Sequence, residues 1–207
     1  MIRPIPRVPA LRLAGLALCA FALSGCISLL PKSKPAQLYT FVPTPGAAQA
    51  QAARAAIGVF RTNGSFQNES ADDRLLTVTN GRNAYIADTR WVAPASVLFD
   101  QAVSQAFDAS PIRLIARGQQ GRSAYGLRLD VRNFETRYDK GEKAAPTVVV
   151  RIHVALNKAD QSPVGEQIFE AKATASDNRV GAIVTAYDKA MAEVIGNLVA
   201  WTEKNAV

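Results

Sequence analysis

The amino-acid sequence predicts an α/β fold of the α+β kind: a mostly antiparallel sheet covered by two main helices and preceded by a lipidated flexible tether. Three observations carry that expectation. Three runs between Tyr125 and Ser176 alternate apolar and polar residues with period two and are joined by short polar connections, which is the pattern of an antiparallel meander. Two other stretches, after Pro94 and after Asp177, repeat apolar residues at helical spacing. Residues 26–56 are dominated by Pro, Ala, Gln and Lys instead, a composition suited to a tether.

In chain order, the first feature is an export signal. Arg3, Arg7 and Arg12 stand without an acid before the apolar run Leu13 to Leu23. That order is a signal peptide, and the run falls short of the ~20 residues a membrane-spanning helix needs. It ends in Leu23-Ser24-Gly25-Cys26, which resembles the bacterial lipobox. The resemblance implies that the Cys26 sulfur receives a diacylglycerol, that residues 1–25 are cut away, and that the new amino group takes a further acyl chain. Cys26 is thus the expected lipidation site, and its acyl chains are the only covalent group expected; no cofactor is. Two chains already hold a protein stably on a bilayer. The next residue is Ile27 rather than the aspartate of inner-membrane retention, so the expected location is the outer membrane, facing the periplasm.

Residues 26–56 form the expected tether, with Leu38-Tyr39-Thr40-Phe41 as a short β-favouring run that can be a strand. Residues 57–207 form the expected domain. Ile57 to Arg61 reads as a strand. Leu75 to Thr79 and Ala84 to Asp88 flank Asn80-Gly81, a dipeptide suited to the positive φ angles of a tight hairpin. Pro94 suits a helix start, and Phe99, Val103 and Phe107 recur at four-residue spacing until Ser110-Pro111. Arg113 to Arg117 reads as a short strand. In the next strand Tyr125, Leu127, Leu129 and Val131 share one parity, but Phe134 and Tyr138 share the other, so a bulge near Asn133 is expected. Val148, Val150, Ile152, Val154 and Leu156 line one face of the following strand, and Phe169, Ala171 and Ala173 one face of the last, Glu166 to Ser176. Asp177 or Asn178 can cap a terminal helix carrying Val180, Ile183, Val184, Tyr187, Met191, Val194, Ile195, Leu198 and Trp201 or Thr202.

Charge narrows the function classes. The whole chain carries +7, but the signal takes three arginines and no acid with it, leaving the mature chain only mildly basic. Arginines alternate with acids, as in Arg128-Leu129-Asp130-Val131-Arg132, so a solvated face fits better than a nucleic-acid footprint, which concentrates positive charge. With Cys26 acylated, no thiol is left for a disulfide, and stability has to come from packing.

The residues offer little chemistry. His153 is the only histidine, set mid-strand opposite the aliphatic face, where a surface role is expected. It has no second histidine or thiol with which to hold zinc. There is no Gly-x-Ser-x-Gly elbow and no Gly-x-x-x-x-Gly-Lys phosphate loop, so the chain is not an ATPase. Asp72-Asp73 reads as a turn before the strand at Arg74. Trp91, Tyr125, Phe134 and Trp201 read as core anchors. No catalytic, cofactor-binding or metal site is expected.

The chain resembles the ABC-type transport auxiliary lipoproteins. The resemblance rests on Leu38-Tyr39-Thr40-Phe41, on Tyr85-Ile86-Ala87-Asp88-Thr89-Arg90-Trp91 before a helix, on the strand from Tyr125 to Glu135, on Leu198-Val199-Ala200-Trp201, and on the lipobox. It implies an accessory, non-catalytic subunit of an ABC transporter that works with an MCE (mammalian cell entry) protein, a permease and an ATPase to move phospholipid or other hydrophobic molecules across the envelope. The expected partners are therefore the outer membrane, through the anchor, and the MCE-domain protein with its ABC complex. Self-association stays open, and nucleic acid is not expected. An envelope lipoprotein that activates a peptidoglycan synthase is the alternative, because it also pairs an anchor and tether with a small α/β domain.

Overall fold

The hairpin and the period-two runs form where the sequence places them. The computed structural model describes residues 35–41 and 57–207; the expected signal peptide, Cys26 and the Ala/Gln segment lie outside the described residues. The strands are β1 (Gln37–Tyr39), β2 (Ile57–Arg61), β3 (Arg74–Thr79), β4 (Arg82–Trp91), β5 (Ile112–Ile115), β6 (Tyr125–Arg137), β7 (Thr147–Lys158) and β8 (Pro163–Thr174). Helix α1 spans Ala95–Asp108 between β4 and β5, and helix α2 spans Val180–Asn205 after β8.

Local chemistry accounts for most of these boundaries. Asn80 and Gly81 take φ of 50° and 75°, the mirror-image turn whose twist matches two antiparallel strands. Pro94 ends an extended backbone and stands just before α1. The bulge in β6 falls between Val131 and Asn133, where the register against β7 slips. That slip returns Phe134 to the apolar face beside Leu127 and Leu129. On β7, Val148, Val150, Ile152, Val154 and Leu156 are all fully buried.

One expectation about α2 is corrected. Its N-cap is Arg179, with no side-chain cap, so neither Asp177 nor Asn178 caps it. Both side chains are already committed. The Asp177 carboxylate accepts the Asn178 N–H at 2.7 Å and pairs with Arg179, while Asn178 accepts from the Tyr138 hydroxyl and donates to the Glu142 carbonyl. Asn178 thereby clamps the β6–β7 loop to the start of α2.

The eight-stranded sheet is mostly antiparallel, as expected, with parallel ladders among its shorter strands. The long ladders, β6 with β7 and β7 with β8, are antiparallel, as is the β3–β4 hairpin. The short ladders of the N-terminal half, β1–β4, β2–β5, β2–β6 and β3–β6, are parallel. The sheet forks at β6. One of its edges carries β7; the other is shared, with β2 paired at Val59–Arg61 against Tyr125–Leu127 and β3 paired at Thr77–Val78 against Thr136–Arg137. The 62–67 segment fills the gap between them, through Thr62 N–H to the Leu127 carbonyl, Val131 N–H to the Ser65 carbonyl and Gln67 N–H to the Val131 carbonyl. Gly64 is required there, because a Cβ would lie 1.9 Å from the Leu129 carbonyl oxygen.

The helices contribute the buried residues Leu98, Phe99, Val103 and Phe107 from α1, and Ile183, Tyr187, Met191, Val194, Ile195 and Leu198 from α2. Burying each such large apolar side chain contributes roughly 1.5–3 kcal/mol. At the centre is an aromatic cluster. Trp91 meets Phe41 and Tyr187 edge-on at 5.1 Å each, and Phe134 lies 4.8 Å from Tyr187. Thr136 donates its hydroxyl to the Tyr187 oxygen at 3.3 Å. Burial pushes the Tyr187 phenol well above its ordinary pKa, so it stays neutral. Phe41 is 3% exposed, so the stretch read as part of the tether adds both a strand and a core side chain to the compact unit Ala36–Val207.

Candidate functional site

Cys26, the lipidation site expected from the sequence, lies outside the described residues. Within them, the polar residues concentrate on the face of β6–β8 that points away from the apolar core. Register places Asp130 opposite His153, and Arg151 between Asn133 and Glu170. His153 sits between two acids, with Nε2 3.2 Å from Glu166 and Nδ1 3.6 Å from Asp130, and only 18% of its side chain is exposed. The expectation of a surface histidine is corrected to that extent: the flanking carboxylates and strands cover most of the ring.

Asp130 is buried too, which departs from the solvated face read from its alternating charges. Its Oδ1 accepts the Ser65 N–H at 2.8 Å and the Ser65 hydroxyl at 2.9 Å, and Arg128 Nε donates to Oδ2 at 3.0 Å. Burial pushes this carboxyl up, but the two Ser65 bonds and Arg128 outweigh it and hold the group below its ordinary pKa. Glu135, 3% exposed, accepts from Gln67 Nε2 at 3.0 Å and from Arg137 Nε at 2.7 Å. Gln67 Oε1 in turn accepts the Phe134 N–H. These acids staple the 62–67 segment to β6.

The geometry fits a staple and not a nucleophilic centre. A serine hydrolase needs its base against the nucleophile hydroxyl, with the acid behind the base. Here the carboxylate of Asp130 stands between Ser65 and His153, so His153 is not placed to take the Ser65 proton. Asp72 and Asp73 make the expected turn. Asp73 pairs with Arg90 at 2.8 Å, while the Asp72 and Ala71 carbonyls accept the Ala95 and Ser96 N–H groups, satisfying the first turn of α1 without a side-chain cap. Among the described residues no group of three or more His, Cys, Asp and Glu is arranged to hold a metal.

Of the aromatics expected as anchors, Trp91, Tyr125 and Phe134 are buried; Trp201 is half-buried and meets Phe169 edge-on at 6.3 Å. Sequence reading missed a charged cluster. Arg61, at the end of β2, donates to Asp100 of α1 at 3.2 Å, and Arg117 binds the other oxygen of the same carboxylate. Arg61 shares parity with Ile57 and Val59 on β2, and that alternation was the signal that it points inward.

No helix among the described residues is long and apolar enough to cross a membrane. The solved structures share the fold. A protein of family DUF330 from Xanthomonas campestris is 23% identical, with a TM-score of 0.68 over 82% of this chain and 96% of its own. An uncharacterized protein is 13% identical, with a TM-score of 0.62 over 81% of this chain and 99% of its own. No curated protein matches. The model of the ABC-type transport auxiliary lipoprotein component family matches residues 39–199, from the end of β1 to the last turns of α2, so the chain belongs to that family.

Proposed function

We propose that the mature protein is an outer-membrane lipoprotein, acylated on Cys26, that serves as a non-catalytic subunit of an MCE-type ABC system moving phospholipid or other hydrophobic molecules across the envelope. Its role is mechanical. The acyl chains fix the domain at the membrane, and the domain docks the periplasm-spanning partner there. The observation that carries this reading is the family match over residues 39–199 in a chain whose sequence opens with an export signal ending in Leu-Ser-Gly-Cys. Ile27 after the cysteine supports the outer membrane, and the use of Asp130 and Glu135 as internal staples supports a role without chemistry.

The test is affinity purification of the acylated protein from cross-linked, fractionated membranes, with partners identified by mass spectrometry. Enrichment of an MCE protein, a permease or an ABC ATPase from the outer-membrane fraction is the expected result. Recovery in the inner membrane, or with a peptidoglycan synthase in place of transporter subunits, would overturn the assignment.

A further inference from the structure

Among the described residues, the exposed large apolar side chains are Leu38, Val92, Val97, Ile168 and Val207. Three of these five belong to one corner, where β1, the end of β4 and the start of α1 meet. Leu38 is 65% and Val92 55% exposed, and with Ala93 and Pro94 they line a shallow groove of about 380 Å³. Val97 follows one turn along, its N–H bonded to the Pro94 carbonyl. Asp72, Asp73 and Arg74 line the same groove. Asp73 pairs with Arg90 and the Arg74 guanidinium lies over the Tyr85 ring, so two acids and two arginines leave the rim of the aliphatic surface without net charge.

This corner is also where the chain enters the domain. Cys26 stands about eleven residues before Gln37, a stretch that reaches at most about 40 Å even when fully extended. A domain of this size is itself about 40 Å across. The entry point is fixed, because Val92 N–H bonds the Tyr39 carbonyl at 2.7 Å and Phe41 is locked against Trp91. Among the exposed large apolar residues described, Leu38 is the one nearest the anchor along the chain, so the corner it belongs to is held on the shortest tether. Tethering makes docking intramolecular, so even a small patch engages. Lys32 and Lys34, between the anchor and this corner in sequence, add positive charge that anionic headgroups attract.

We infer that Leu38, Val92 and Val97 form a membrane-docking corner that seats the domain on the lipid surface carrying its own acyl anchor. The inference rests on the Cys26 anchor proposed above and goes beyond it by fixing which side of the domain faces lipid.

The experiment uses the full acylated protein in vesicles of phosphatidylethanolamine and phosphatidylglycerol. Single Leu38→Cys, Val92→Cys and Ile168→Cys variants each carry a fluorophore, and quenching by lipid-borne nitroxides is read on the vesicle-bound fraction. Labels at 38 and 92 should be quenched on the order of twofold more than the label at 168, because a docked apolar face sits at the headgroup boundary. Equal quenching at the three positions overturns the inference. So does absence of quenching at 38 and 92, whether the chain's own residues cover the corner or energy transfer between labelled copies shows that a second copy does. Mass analysis of the N-terminal peptide separates the two readings. An acylated Cys26 with no quenching at the corner sinks this inference alone, whereas a chain without the acyl adduct sinks the anchor.

Discussion

Replacing Phe41 by alanine tests how firmly the chain is held where it enters the domain. Phe41 is 3% exposed and packs on Trp91 at 5.1 Å and Phe134 at 5.4 Å. Truncating a buried phenylalanine costs about 3–5 kcal/mol when the surroundings stay in place. Here there is a ceiling. β1 holds the sheet through only three residue pairs with β4, and its Gln37 and Leu38 side chains are exposed. A chain without the ring can release residues 35–41 rather than keep a cavity, so the cost is limited to the free energy of docking that segment. We expect about 3 kcal/mol, which lowers the melting temperature of a domain this size by about 6–12 °C. Amide exchange supplies the second readout. Val92 N–H, bonded to the Tyr39 carbonyl, should exchange quickly in Phe41→Ala, while amides of β6 and β7 remain protected. An unchanged melting temperature together with a protected Val92 would refute the claim that Phe41 pins the entry strand.

Three further outcomes are expected. Leu198 is fully buried on α2, so Leu198→Ala should cost about 2–5 kcal/mol; a melting temperature within error of the parent would mean that this helix face grips a partner instead of the sheet. Asp130 has a folded-state pKa below its unfolded value, so its contribution is complete above about pH 4 and is lost as pH falls through the lowered folded pKa. Asp130→Asn should accordingly be less stable at neutral pH, by on the order of 1–3 kcal/mol, and should show a shallower loss of stability on acidification; parallel pH profiles for the two proteins would contradict the staple. His153→Ala should leave transport near normal, because Asp130 keeps Ser65 and Arg128 as partners. A loss of transport in that variant with unchanged thermal stability would point to chemistry at this face.

The parts legible in the sequence are those written in short-range periodicity. The Asn80-Gly81 hairpin, both helices, the β6–β8 meander and the bulge near Asn133 follow from parity or turn chemistry within a few residues. The parallel ladders were not legible, since β2 finds β5 and β6 across more than fifty residues and through contacts of only three or four pairs, too few to leave a pattern. The burial of Asp130 and Glu135 was hidden for a related reason. Their partners Ser65 and Gln67 come from a stretch that reads as a polar loop, so alternating charges on β6 looked solvated. The start of α2 was misplaced because Asp177 and Asn178 have the right chemistry for a cap but spend it on each other, on Arg179 and on the β6–β7 loop. Arg61 was the missed residue that alternation alone could have placed.

The 62–67 segment has a practical consequence for anyone altering this protein. Irregular backbone is usually where insertions and tags are placed, and Thr-Asn-Gly-Ser invites that choice. Yet this segment occupies a strand position on β6, with three main-chain bonds, two buried side-chain staples and a glycine pressed against a carbonyl setting its length. One added residue would break the correspondence between β2 at one end of β6 and β3 at the other. The Asn80-Gly81 turn instead joins strands that pair directly beside it, from Thr79 with Arg82 to Leu76 with Tyr85, so it is the place where an epitope or a fluorescent fusion can be spliced in with the least disturbance to the sheet.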